Sequence, residues 1–255
     1  MELRSSFTVL FGLLLLSIVI SSSPLVSIHT VDASTDNDFF EDFEEEDFEE
    51  EDFEEEDFEE EDFEEEDFEE EDFEEENSIQ ICCTWGSSLE DGSLTYHIDD
   101  DDMSEEQQQA VRNAVHEWDT KIEPLELEEE SSKKISDITI ELGDDNDGEE
   151  LAGQTITISN GYGFLVNAQI TIYKGVQEYD FDTATIGQVA KHEMGHALGL
   201  GHANFDGNLM AEMVNYGTAT VSECEINAVI EANYWKLRGD GNSGPSITPS
   251  NSITC

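Results

Sequence analysis

From Asn77 onward the apolar positions recur with the periods of folded secondary structure. Leu94-Thr95-Tyr96-His97-Ile98 predicts a strand. Ser104, followed by Gln107 three residues on, makes a capping box. Behind it Ala110, Val111, Ala114, Val115 and Trp118 recur at helical spacing, which predicts a helix through Thr120. Ser136 to Leu142 alternates as a strand does. A second β run covers Leu151 to Ser159, with Ile156 and Ile158 on one side. A third covers Asn167 to Tyr173, with Ile170 and Ile172. Another helix starts at Asp182 or Thr183, either of which can cap it, and carries Ile186, Val189, Ala190, Ala197 and Leu198 on its apolar side. A last helix is expected from Ser222 to about Leu237, through Ile226, Val229, Ile230 and Tyr234. Trp118 reads as a core anchor, and His97 and His116 read as surface residues rather than ligands.

The chain before Asn77 follows no such period. Phe7 to Ile20 is an apolar run broken only by Thr8, Gly12 and Ser17, behind a basic Arg4. It is short for a membrane span, which needs about 20 residues. With the small-residue site Val31-Asp32-Ala33 it predicts a secretion signal over residues 1–33, cut before Ser34, and hence an extracellular protein. An uncleaved anchor that holds the protein at a membrane is the alternative. Residues 34–76 form an acidic segment in which 42–76 are seven copies of Asp-Phe-Glu-Glu-Glu. A period of five places successive Phe about 140° apart on a helix and on alternate faces of a strand, so neither structure buries them. Disorder and a role as a solvated spacer are expected. Weak cation binding and masking of the active site before processing are sharper roles for the same segment. Residues 77–238 make the folded domain, and 239–255 a loop-like tail of Gly, Ser, Pro and Asn that ends in Cys255.

Charge narrows the partners. The 255 residues carry a formal charge of −56, which repels nucleic acid and anionic membrane surfaces. Residues 41–76 hold 29 acids and no base, yet from Asn77 onward 32 acids still face only 8 bases. The four cysteines, in a secreted context, imply disulfides. Because neighbours in sequence bridge only through a tight ring, Cys82 and Cys83 are expected to pair with Cys224 and Cys255, in an order left open. Asp144, Asp145, Asp147, Asp180 and Asp182 are candidate oxygen donors to calcium, but no complete calcium loop is present and solvated turns are the simpler reading.

The chemistry gathers in His192-Glu193-Met194-Gly195-His196-Ala197-Leu198-Gly199-Leu200-Gly201-His202, spaced H-E-x-x-H-x-x-G-x-x-H. His192 and His196 share one helix face and reach one metal ion. Gly199 can end the helix in a left-handed turn, so that His202 swings back as a third nitrogen. Three imidazoles with an open fourth position describe a catalytic zinc. Glu193 lies over the same face without being a ligand and is the candidate general base. The bland alternative, a chance set of surface histidines, does not account for a Gly and a third His at fixed offsets.

This string resembles the metzincin signature, and within that clan residues 94–239 most resemble the matrixin catalytic domain. Leu94-Thr95-Tyr96-His97-Ile98 is similar to its first strand, Met103-Ser104-Glu105-Glu106 through His116-Glu117-Trp118 to its first helix, and Ser136-Asp137-Ile138-Thr139-Ile140 to the next strand. Val221-Ser222-Glu223-Cys224-Glu225-Ile226 is similar to the start of its C-terminal helix. Met210, eight residues after His202, stands where matrixins place the methionine of the Met-turn beneath the zinc. The resemblance implies an α+β, zincin-like fold: a twisted mixed β-sheet packed on two helices, with an active-site helix, a Met-turn and a C-terminal helix. It further implies a monomeric zinc endopeptidase acting on protein or peptide substrates that lie extended beside an edge strand, expected to be Leu151 to Ile158. The sequence departs from the pattern at Ala203, usually Ser, and at Glu212, usually Pro. It also lacks histidines for a second, structural zinc between Gly143 and Tyr179, so none is expected. A binding or surface-assembly protein on the same scaffold is the competing reading.

Overall fold

The computed structural model describes residues 27–34, 76–144, 151–176, 179–213, 219–238, 244–247 and 250–255. Residues 1–26 of the expected secretion signal, the acidic repeat up to residue 75, and residues 239–243 of the tail lie outside them.

In chain order the strands and helices are β1 (Ser27–Ser34), β2 (Ser78–Ile81), β3 (Thr84–Trp85), β4 (Ser93–Ile98), α1 (Glu105–Lys121), β5 (Glu126–Glu129), β6 (Ile138–Gly143), β7 (Leu151–Ser159) and β8 (Phe164–Tyr173). The short β9 (Gly175–Val176) and β10 (Tyr179–Asp180) follow, then α2 (Thr183–Ala197), β11 (Leu200–Ala203), α3 (Glu223–Ala232), α4 (Tyr234–Leu237) and β12 (Ser252–Thr254). The main sheet is seven-stranded and mixed, in the order β1-β7-β8-β6-β4-β5, with β3 joining the start of β8. β5, β4, β6 and β8 run parallel; β7 is antiparallel to β8, and β1 is antiparallel to β7. Parallel strands need crossovers, and α1 supplies one between β4 and β5. The result is the α+β fold expected, with a mixed sheet packed on helices.

Local signals act as expected in several places. Ser104 accepts from the Gln107 amide while Gln107 closes the box on the Ser104 amide, and α1 follows. Asp182 is the cap that starts α2. α1 and α2 pack on each other, and α2 lies across β7 and β8. Trp118 is fully buried between them and donates Nε1–H to the Lys191 carbonyl at 3.0 Å. Glu117 extends this junction, pairing with Lys191 at 2.7 Å and accepting the Val221 amide at 2.9 Å. Burial raises the Glu117 pKa, but these donors outweigh it and hold the carboxyl below its usual value. His97 Nδ1–H donates to the Glu130 carbonyl at 2.9 Å and His116 is exposed beside Asp119, so neither approaches the histidine group.

Two expectations are corrected. The C-terminal helix is broken in two at Asn233, which is buried and sits at φ −112°, ψ 33°. Its side chain accepts the Trp85 amide and donates to the carbonyls of Leu198 and Val229, so tertiary bonds replace helix continuation. The cysteines pair as Cys82 with Cys83 and Cys224 with Cys255. The reason is that β12 lies on β2 and beside α3, which brings the Cα of Cys255 to 5.2 Å from that of Cys224. The tail is therefore not loop to its end. On β7 the alternation sets Ile156 and Ile158 on one half-buried side, and the buried face is Gly153, Thr155, Thr157 and Ser159. Small residues are needed there because α2 presses on that face; a Cβ at Gly153 would come within 2.7 Å of Val189 Cγ1.

Asn233→Leu keeps the volume but strips all three bonds. We expect a loss of about 2–4 kcal/mol, since a buried amide and a carbonyl lose their partners. Urea denaturation of the two proteins measures it.

Candidate metal centre

α2 delivers His192 and His196 one turn apart, both fully buried. The helix then ends within two residues. Leu198 closes its last turn, and Gly199 adopts φ +107°, a conformation that a side chain disfavours. A Cβ at that position would also lie 2.5 Å from the Cys83 carbonyl oxygen. The turn leads straight into β11, which carries His202 and pairs with β2.

The three imidazoles converge. Their ring centroids are 4.6, 4.9 and 5.6 Å apart, and one ligand atom from each lies within 4.8 Å of the others. His192 Nδ1 is 2.7 Å from the Leu209 carbonyl, and His196 Nδ1 is 2.9 Å from the Leu200 carbonyl. A carbonyl only accepts, so both Nδ1 atoms carry the proton and both Nε2 atoms present a lone pair. Those two lone pairs face each other at 3.0 Å in a buried space. Burial pushes the His192 pKa down to about 4 and that of His196 well below its ordinary value, which keeps both rings neutral. Two buried acceptors so placed need a cation between them. Two nitrogens bound tetrahedrally at 2.0–2.1 Å to zinc stand about 3.3 Å apart, close to what the rings present. The donor set, three imidazoles, suits zinc.

Met210 is fully buried against α2. Its Sδ packs against Gly195 so closely that a Cβ there would collide with it. The Met210 amide donates to Asn208 Oδ1 at 2.7 Å, and its carbonyl accepts the Ala203 amide at 2.7 Å. The loop after His202 is thereby folded back under the site, and the same loop presents the Leu209 carbonyl to His192.

Glu193 is also fully buried, although it is a carboxylate. Thr155 of β7 donates to its Oε2 at 2.6 Å. Thr155 lies outside the histidine motif, and no chemistry of its own marks it in the sequence. The run Gly153, Thr155, Thr157 and Ser159 at alternate positions was the available signal. Among the candidate calcium donors, Asp182 is spent on capping α2 and Asp144 pairs with Lys174; Asp145 and Asp147 lie outside the described residues. The histidine group is the one cluster of metal-ligating side chains found among the described residues, so calcium has no support.

A mixed sheet backing a helix that offers two histidines, with a third returned by a glycine turn and a methionine below, defines a zincin of the metzincin type. The chain belongs to the matrixin family of peptidases, M10, whose profile matches residues 84–232. No individual curated protein matches the chain significantly. Membership makes it a zinc metallopeptidase, a hydrolase of peptide substrates. No helix among the described residues is long and apolar enough to cross a membrane.

Gly199→Ala should cost several kcal/mol, about 1–3 for the backbone alone, and displace β11. Zinc content after dialysis, measured by atomic absorption, is expected to fall well below one per chain.

Proposed function

We propose that the protein is a secreted zinc-dependent endopeptidase in which His192, His196 and His202 hold the metal and Glu193 is the general base. The convergence of three imidazoles, two of them buried, with an adjacent buried carboxylate carries this reading. Zinc, when bound, supplies a Lewis acid that polarises the scissile carbonyl and acidifies water. Glu193 takes the proton of the attacking water on its carboxylate and returns it to the leaving amine nitrogen. The Leu209 and Leu200 carbonyls hold the imidazole rings in orientation and keep their Nε2 lone pairs inward. Met210 is an apolar floor rather than a ligand.

Residues 1–33 act as the secretion signal, 34–76 as a solvated spacer, and 77–238 as the catalytic unit. The substrate lies extended along the outer edge of β7, forming strand-type backbone bonds. In the uncut chain β1 covers that edge; cleavage before Ser34 removes Ser27 to Ala33 and frees it for substrate. A pure binding or assembly role has no use for a carboxylate buried within the histidine group, which is why it is the weaker reading.

Glu193→Ala should retain zinc and lose casein hydrolysis by a factor of at least 10²–10⁴, the range of general acid–base contributions. Hydrolysis that survives the change would remove Glu193 from the role of base. An inactive, zinc-loaded parent protein would favour the binding role. His202→Ala should weaken zinc binding by more than the 10–100-fold typical of an outer partner, read by competition with a chromophoric chelator.

A further inference from the structure

We propose that Thr155 is a positioning residue for Glu193, a tether from the sheet that fixes the carboxylate of the general base. This rests on the peptidase reading above. Thr155 is fully buried, on the face of β7 that meets α2. Its Oγ1 lies 2.6 Å from Glu193 Oε2 and 3.1 Å from the Glu193 backbone carbonyl. A hydroxyl has one proton, so it serves one of the two. The shorter contact falls in the range of a charge-assisted O–H···O⁻ bond, 2.5–2.7 Å. The longer one exceeds the usual 2.7–2.8 Å, and it runs to a carbonyl at a helical position, where the amide four residues on is the ordinary partner. The proton therefore goes to the carboxylate.

Gly153 completes the arrangement. It is two residues from Thr155 on the same face, and a Cβ there would sit 2.7 Å from Glu193 Oε1 and 2.9 Å from Glu193 Cγ. One position of β7 is thus emptied to admit the glutamate, and the next inward position holds it. A long carboxylate side chain otherwise loses its aim among rotamers, and catalytic groups depend on near-attack placement. Thr155 does not touch the histidines in any contact described, so its effect passes through Glu193.

The test compares Thr155→Val, which keeps the shape and removes the hydroxyl, with Thr155→Ser, which keeps the hydroxyl, in the zinc-loaded full chain. Thr155→Val is expected to lower kcat about tenfold or more on a fluorogenic peptide, because small misplacements cost up to about 10². KM and zinc content should stay within about twofold of the parent, and Thr155→Ser should restore most of kcat, on the same positioning argument. If Val overpacks the site, Thr155→Ala is the substitute. A readout independent of activity comes from the metal-free protein, in which Thr155→Val is placed in the parent and in Glu193→Ala. The drop in Tm should be larger when Glu193 is present. Equal drops would show that the hydroxyl serves only the backbone carbonyl and would overturn the proposal, as would an unchanged kcat. A zinc-loaded parent that hydrolyses nothing would overturn the peptidase reading instead, and the metal-free comparison would still decide whether Thr155 holds Glu193.

Discussion

A helix leaves its last carbonyls without internal partners, and in α2 those carbonyls belong to the stretch between the second and third histidines. Other elements satisfy them. Trp85 Nε1–H donates to the Ala197 carbonyl at 2.8 Å, Asn233 Nδ2–H to that of Leu198 at 2.9 Å, and the Cys82 amide to that of Gly199 at 3.0 Å. Buried carbonyls left bare would each be costly. These donors come from β3, the α3–α4 junction and the link between β2 and β3. They clamp the point at which the chain must reverse for His202 to reach the other rings. Trp235 extends the clamp by donating Nε1–H to the Trp85 carbonyl at 2.8 Å. The metal group is therefore not a local property of the helix that carries its motif. It depends on residues near both ends of the folded domain.

The same logic explains why so polar a set of side chains lies in the core. His192, His196, Glu193, Thr155 and Asn233 are all nearly or fully buried. Each has a named partner: a carbonyl for each ring, a hydroxyl for the carboxylate, and three backbone groups for the amide. A polar interior so satisfied is rigid, and rigidity is what a metal site needs if its ligands are to be held before the ion arrives. The acidic surface plays no part in this; its effect is on solvation and on the partners that approach.

Much of this was legible in the sequence. Local chemistry announced itself: the capping box at Ser104, Asp182 as a helix start, the alternation in β6 and β8, and the spacing of His192, His196 and His202. Met210 was found through a family resemblance rather than through any property of its own. What was illegible depended on contacts distant in the chain. Periodicity through Tyr234 predicted one helix, because nothing near Asn233 says that Trp85 will claim its side chain. The cysteine pairing followed from β12 settling on β2, a pairing between the two ends of the domain. Alternation alone does not say which face of β7 turns inward; the close approach of α2 decides it and demands small side chains there.

β1 shares with β7 a register in which Val31 faces Thr155 and Ala33 faces Gly153, the two residues that enclose Glu193. A strand supplied by the same chain behaves as an intramolecular ligand, at an effective concentration set by the segment that joins it. Any extended peptide that adds to β7 competes with it, so its apparent affinity is scaled by the fraction of molecules in which the edge is bare. Cutting the chain after β1 would turn that resident competitor into a dilute one. For as long as residues 27–33 stay attached, access to β7 thus depends on the segment between β1 and β2, where the acidic repeat lies, and the proposed cut before Ser34 would remove that dependence.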